Sequence, residues 1–319
     1  MAKQLKRTKN NIVMQGVIGN LKPTEKVAFG FTSGVKDGVA WKKVKLSLKT
    51  SKGNMVFAEL YGQVRKTVTF YNNSTKQSKQ VAWKDRFTYN ESGFKLMLPD
   101  YDLIEEMERV LVEGMSVKMR FQYAAEDYVN KTGQPVKRNY LRISGFEPID
   151  ALNMDDPNFE ELNYVNMDVI IKKVTDAPSN TLVVDGFIID SFNKPRDIQL
   201  IAENADEMYG LKSLRYGTKI TIVNGKYKNS REQEEVVVQN KAGFGKSTVV
   251  KYEDKTKVGI YFDTVDASEI IEGMYSPEDI AAANEGVVAK PEATHSAPVA
   301  EPVVESSDDI DDDDLDLEL

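Results

Sequence analysis

A two-residue hydrophobic alternation recurs in short segments of this chain. In Ala40–Lys49, the side chains of Val44, Leu46 and Leu48 share one face of an extended segment, with Trp41, Lys43, Lys45, Ser47 and Lys49 on the other. Met115–Tyr123 sorts in the same way, with Ser116, Lys118, Arg120 and Gln122 opposite its apolar residues. In Val136–Phe146, Arg138, Tyr140 and Arg142 oppose Leu141 and Ile143. Half-buried strands are the physical meaning of such a pattern, so the first half of the chain is expected to be a sheet with one apolar and one cationic face.

Further strands are expected over Asn11–Gly19 and over Asn54–Tyr61, which Thr50-Ser51-Lys52-Gly53 joins to Ala40–Lys49 as a hairpin. Lys66–Tyr71 and Gln80–Tyr89 read as an inserted hairpin arm around Asn72–Lys76. One helix stands out, with Leu103, Met107, Val110 and Leu111 at helical spacing, Asp100 as its cap and Gly114 as its stop. The resulting order of three strands, a helix and two strands is that of the OB-fold, a small Greek-key barrel. The second half repeats it: strands at Val165–Val174, Leu182–Asp190 and Asp197–Glu203, a helix at Ala205–Leu214, and strands at Gly217–Val223, Glu235–Gln239 and Val258–Phe262. The expected fold is mainly β, with two tandem OB-fold-like barrels of one helix each and a disordered acidic tail. The expected divisions are 1–150, carrying the hairpin insertion at about 64–90, 151–283, a linker at 284–307 and a tail at 308–319.

Charge follows these divisions. The formal net charge is −8, yet residues 1–150 hold 26 Lys and Arg against 15 Asp and Glu, residues 151–283 hold 15 against 23, and residues 284–319 hold 1 against 12. A cationic first half therefore precedes a polyanionic end. With no Cys and a single His, the 319 residues offer no disulfide framework, thiol nucleophile, Cys/His zinc site or well-placed catalytic His, so no cofactor, metal or enzymatic activity is expected. No run of 18 apolar residues occurs, the start is too polar for a secretory signal, and a cytoplasmic protein without a membrane partner is expected.

Two tempting signals fail. Gly245-Lys246-Ser247 ends like a phosphate-binding P-loop, but the first Gly of that motif falls on Asn240 and a strand pattern follows where a helix is required. The acid pairs Glu105/Glu106 and Asp155/Asp156 lack an accompanying base or metal constellation.

The segment Asn284–Ser307 is rich in Pro, Ala, Val and Glu without period, as a linker is. Asp308–Leu319 then has eight acids in twelve residues, with Ile310, Leu315, Leu317 and Leu319 set among them as candidate anchors for a partner. A basic OB-like unit, a second unit, a Pro/Ala linker and an acidic end resemble the single-stranded DNA-binding proteins of bacteriophages and bacteria, although the bacterial family ends in an aromatic residue and this chain in Leu319. The resemblance implies a non-catalytic protein that coats single-stranded DNA in replication or recombination and recruits partner proteins of those processes through its tail. For a phage protein, the location implied is the bacterial host cytoplasm. Sequence-independent binding of single strands needs cations along the phosphates and aromatic faces for the bases. Trp41, Lys43, Lys45, Lys49, Lys118, Arg120, Arg138, Tyr140 and Arg142 are the candidates, with Tyr61, Tyr71 and Trp83 as further stacking positions. Lys3, Lys6, Arg7 and Lys9 read as a mobile basic arm. Lys219, Lys226, Lys228 and Arg231 are weaker sites in the second half. An RNA-binding barrel and a structural or virion-assembly protein are the competing classes, and the sequence sets no oligomeric state.

Overall fold

The computed structural model describes residues 3–23, 28–129, 133–239 and 248–285, with the backbone alone at 127–128, 231–239, 248–255 and 285. In chain order the elements are β1 (Asn10–Gly19), β2 (Gly30–Lys36), β3 (Val39–Lys49), β4 (Met55–Gln63), β5 (Thr67–Asn72), β6 (Gln77–Ala82), β7 (Phe94–Leu96), α1 (Asp100–Val110), β8 (Ser116–Val129) and β9 (Pro135–Pro148). There follow β10 (Asn163–Ala177), β11 (Thr181–Ile189), β12 (Pro195–Ala202), β13 (Lys219–Gln239), β14 (Thr248–Phe262) and α2 (Pro277–Glu285). No helix among the described residues is long and apolar enough to cross a membrane.

Eleven strands share one sheet in the order β11-β12-β14-β13-β10-β1-β8-β9-β4-β3-β2, and β5, β6 and β7 form a second. Two extra pairings, β1 with β3 and β10 with β11, return the sheet on itself at both ends. Strands β1, β3, β4, β9 and β8 thus make one ring of pairings, and β10, β11, β12, β14 and β13 another. In each ring a single neighbouring pair is parallel, β4 with β9 and β12 with β14. The rings meet at β1, whose Asn10–Met14 pairs with Met167–Asn163 of β10 while Ile12–Val17 pairs with β8.

The alternation read in the sequence supplies the core. Val44, Leu46 and Leu48 are fully buried with Phe121, Leu141 and Ile143, and the same apolar cluster continues through Ile12 and Met14 into Val165, Met167 and Ile220 of the second ring. A polar seam lies beside it. The Asn54 side chain accepts from the Asn229 backbone N–H (2.8 Å) and donates to the Tyr227 carbonyl (3.2 Å), while Asn163 exchanges two hydrogen bonds with the Tyr227 backbone. Both asparagines are buried, so these bonds satisfy groups that water cannot reach.

Five local expectations are corrected. First, Ala205–Leu214 is not an α-helix but a turn ending in a short 3-10 segment at Tyr209–Ser213. Asn204 sits in the left-handed region (φ 57°), its carbonyl takes the N–H groups of Glu207 and Met208, and Gly210 weakens what helical tendency remains. The second ring therefore lacks the helix expected between its third and fourth strands. Second, the arm strand expected over Gln80–Tyr89 is β6, which ends at Ala82 where Trp83–Asp85 turns as a 3-10 segment. Third, β2 has no counterpart among the expected strands, because Gly30, Thr32, Ser33 and Gly34 mask its alternation. Asp37-Gly38, both at positive φ, is the hairpin turn that marks it. Fourth, Pro99 rather than Asp100 is the N-cap of α1, which leaves the Asp100 carboxylate for Arg142.

The fifth correction concerns the basic start, which is docked rather than mobile. Leu5 is buried among Ile170, Phe187, Ile189, Tyr275 and Ile280. Lys3 N–H donates to Asp279 (2.5 Å), Lys6 N–H to the Tyr275 hydroxyl (3.0 Å), and Thr8 N–H to the Ile189 carbonyl (3.1 Å). The buried Leu5 and these hydrogen bonds, with further ones from Lys3 Nζ to the Met274 carbonyl and from Lys9 N–H to Asp168, tie this strap to the second ring and to the segment that leads into α2. Helix α2 extends through Glu285, two residues into the expected linker; the rest of the linker, the tail anchors Ile310, Leu315, Leu317 and Leu319, and the P-loop-like Asn240–Ser247 lie outside the described residues.

Candidate nucleic-acid interface

Pairing registers bring the predicted residues of three strands onto the outer face of the first ring. Trp41, Lys43 and Lys45 of β3 stand opposite Gln63, Tyr61 and Glu59 of β4, and Glu59 stands opposite Arg142 of β9. Trp41 is half-buried and lies over Tyr61, with ring centroids 6.1 Å apart and planes 28° apart. Gly34 of β2 makes room on the other side, since a Cβ there would lie 2.8 Å from the indole. Tyr61 is 48% exposed, so the stacked pair presents aromatic surface to solvent.

Behind this pair lies a carboxylate that is not among the residues expected from the sequence. Glu59 is 7% exposed, accepts from Arg138 (2.6 Å) and has the Lys43 ammonium at 3.8 Å. The sequence does carry a signal for it, because Glu59 alternates with Phe57 and Tyr61 on the outward side of β4. Arg138 also lies 5.1 Å from the centre of the Tyr140 ring. Burial, reinforced by Glu126 and Glu59, pushes the Tyr140 phenol above its ordinary pKa, so it stays a neutral stacking and donor group. Arg142 donates to both carboxylate oxygens of Asp100 (2.5 and 2.6 Å) and to Gln122 (3.3 Å). Lys45 lines a cavity of about 170 Å³ with Phe57, Glu59, Arg138 and Tyr140.

The remaining predicted cations lie farther along the strands. Lys49 is exposed at the end of β3 opposite Met55. Half-buried Lys118 and exposed Arg120 project from β8, opposite Gln15 and Val13 of β1. Lys42, on the inward side of β3, reaches over the ring's edge to Glu105 (3.4 Å) and Glu108 (2.9 Å) of α1, and the Glu108 hydrogen bond raises its pKa against the effect of burial. Trp83 sits at the base of the arm, edge-on to Tyr101 (5.9 Å) with the Arg86 guanidinium 4.2 Å from its centre, and Tyr71 is half-buried on β5. In the second ring Lys219 pairs with Glu269 (2.9 Å) and Lys228 with Glu203 (2.7 Å). The outer face of the first ring thus combines a stacked aromatic pair, a neutral phenol and several cations, two of which share one buried carboxylate.

A protein-family model described as YorF matches residues 9–296. The chain belongs to the YorF family. Among solved structures, this YorF-family chain is similar to the wild-type single-stranded DNA binding protein from Thermus aquaticus, at 10% identity over 82% of this chain and 93% of that one, with a TM-score of 0.42. A deletion mutant of the same Thermus aquaticus protein gives 12% identity over 82% and 94%, with a TM-score of 0.38. The comparison with curated proteins finds no match.

Proposed function

We propose that this YorF-family chain is a non-catalytic single-stranded DNA-binding protein, with the outer face of β3, β4 and β9 as its main binding surface. We read the two rings of paired strands as tandem OB-type barrels, a reading supported by the matching place of the parallel pair in each. The observation that carries the function is the Trp41–Tyr61 stack, which shares the outer face of the ring with Tyr140, level with Phe57 farther along β4, and with several Lys and Arg, the combination that non-specific single-strand binding requires. In this reading bases stack on Trp41, Tyr61 and Tyr140, while Lys43, Lys45, Lys49, Arg138 and Arg142 follow the phosphates. Glu59 and Asp100 hold Arg138 and Arg142 in place before DNA arrives, so less side-chain freedom is lost on binding. Coating of replication or recombination intermediates, and recruitment of partner proteins through Ile310, Leu315, Leu317 and Leu319, complete the proposal.

The deciding experiment is a fluorescence titration of the whole chain with oligo-dT, duplex DNA and oligo-U across a salt series. The chain has two tryptophans, so Trp83→Phe leaves Trp41 as the reporter. Quenching by oligo-dT that weakens with salt, with little response to duplex, supports the proposal. Equal response to duplex sinks it, and a preference for oligo-U moves the assignment to RNA.

A further inference from the structure

A groove of about 940 Å³ lies beyond the aromatic face, and Tyr140 and Arg142 border it. Its lining comes from four places: the start and base of the arm with Arg65 and Trp83, the first turns of α1 with Asp100 and Glu106, β8 and β9 with Arg120, and the second ring with Phe192 and Arg196, joined there by Arg7 of the strap. All its basic side chains are arginines, whose planar guanidinium grips phosphate and stacks on bases. The groove's acids Asp100 and Asp190 are engaged by Arg142 and Arg196. Arg7, Arg65 and Arg120 are exposed and have no ion pair among the described residues, while Glu106 and Glu126 are the other acids of the lining.

Phe192 has an unusual position. It is 78% exposed at the tip of the β11–β12 turn, where apolar burial gives it no reason to be. The turn is nonetheless well ordered by Asp190, which accepts from the backbone N–H groups of Phe192 (2.8 Å) and Lys194 (3.0 Å) and from Arg196 (2.9 Å). An exposed ring carried on a hydrogen-bonded turn beside arginines is a stacking platform whose backbone is set in advance.

We propose that single-stranded DNA leaves the Trp41–Tyr61 face past Tyr140 and runs through this groove into the second ring, with Arg7, Arg65 and Arg120 on its phosphates and Phe192 under a base. The inference rests on the single-strand reading above and adds its path, giving the acidic second half a direct part in binding through one local cationic wall.

The test compares the whole chain with a triple variant, Arg7→Glu, Arg65→Glu and Arg120→Glu, and with Phe192→Ala, by oligo-dT titration over a salt series. The triple variant is expected to flatten the dependence of log K on log salt by about two units, at ~0.7 for each phosphate no longer neutralised. Phe192→Ala is expected to lower affinity on the order of tenfold, with an unchanged slope. If the unaltered chain binds and both variants match it, the groove is not the path and the function stands. If the unaltered chain does not bind, the function itself fails. Photo-crosslinking of the unaltered chain with iodouracil-substituted oligo-dT decides independently of how the variants fold: crosslinks on the Phe192 peptide support the path, and crosslinks confined to Trp41, Tyr61 and Tyr140 overturn it.

Discussion

At Trp41 packing and function separate cleanly. The indole rests on Tyr61 and over Gly34, outside the apolar interior that Val44, Leu46 and Leu48 fill. Trp41→Ala is therefore expected to cost roughly 1–3 kcal/mol of single-strand affinity, with a melting-temperature change within about 4 °C. Calorimetry beside the titration checks both; a large loss of stability with affinity unchanged would place Trp41 among the structural residues. Glu59 shows why the electrostatics of this face are hard to read in one dimension. Its neighbours in sequence are Ala58 and Leu60, whereas Arg138, which neutralises it, is 79 positions away and arrives through the parallel β4–β9 pairing. Counting charges by segment reveals an excess of cations but not which of them are already engaged.

At the level of elements, the arm is a small sheet held to the first ring by one buried ion pair. Arg86 donates to both oxygens of Asp102 (2.8 and 3.0 Å), and Asp102 is 5% exposed on α1. Arg86→Ala leaves that carboxylate buried and alone, and a loss of about 3–5 kcal/mol is expected in denaturant unfolding. Replacing the pair together, Arg86→Met with Asp102→Leu, is expected to recover most of it, because two apolar groups need no partner. Most strands of both rings were legible because each buries one face, and a period of two survives wherever that holds. Strand β2 was not, since Gly34 makes room for the Trp41 ring, Gly30 packs against the Leu21 carbonyl, and few apolar residues are left to count. The turn at Ala205–Leu214 imitates a helix in composition, yet Leu211 is the only buried side chain of that segment, and one anchor does not fix a helical face. Of the candidate site, the β3 and β9 residues followed from alternation, whereas Phe192 and Arg7 enter the groove only through the packing of the second ring against the first.

Over the whole molecule, charge separation has a consequence that deletion can measure. Asp308–Leu319 is tethered to a first half with a large excess of Lys and Arg, at an effective concentration on the order of millimolar for a flexible linker. In our reading the tail competes with DNA. Removing it is expected to tighten oligo-dT binding at low salt, with the gain fading as salt rises, and replacing its four apolar residues by Ser is expected to spare DNA affinity while abolishing partner capture. Identical affinity at every salt concentration would reduce the tail to a solubilising appendage. A second prediction concerns acid. The backbone N–H groups of Ser276 and Lys3 hold the Asp279 carboxyl below its ordinary pKa. A lowered folded-state value means that this stabilisation is complete above the unfolded value of about 3.9 and is lost as pH falls through the folded one. Amide resonances of Lys3 and Lys6 should therefore lose protection below about pH 4, and Asp279→Asn should abolish that pH dependence.

The contact between Lys3 and Asp279 also makes the described chain a loop that returns to where it began. Such a path has no privileged point of entry. A short peptide joining residue 285 to residue 3, with the chain opened instead at the exposed arm tip between Asn73 and Ser74, would alter the order of synthesis and leave each ring's strand neighbours unchanged. Connectivity and architecture are separable here, and a permuted chain that still binds would show that the interface belongs to the arrangement of strands and not to the order in which the chain visits them.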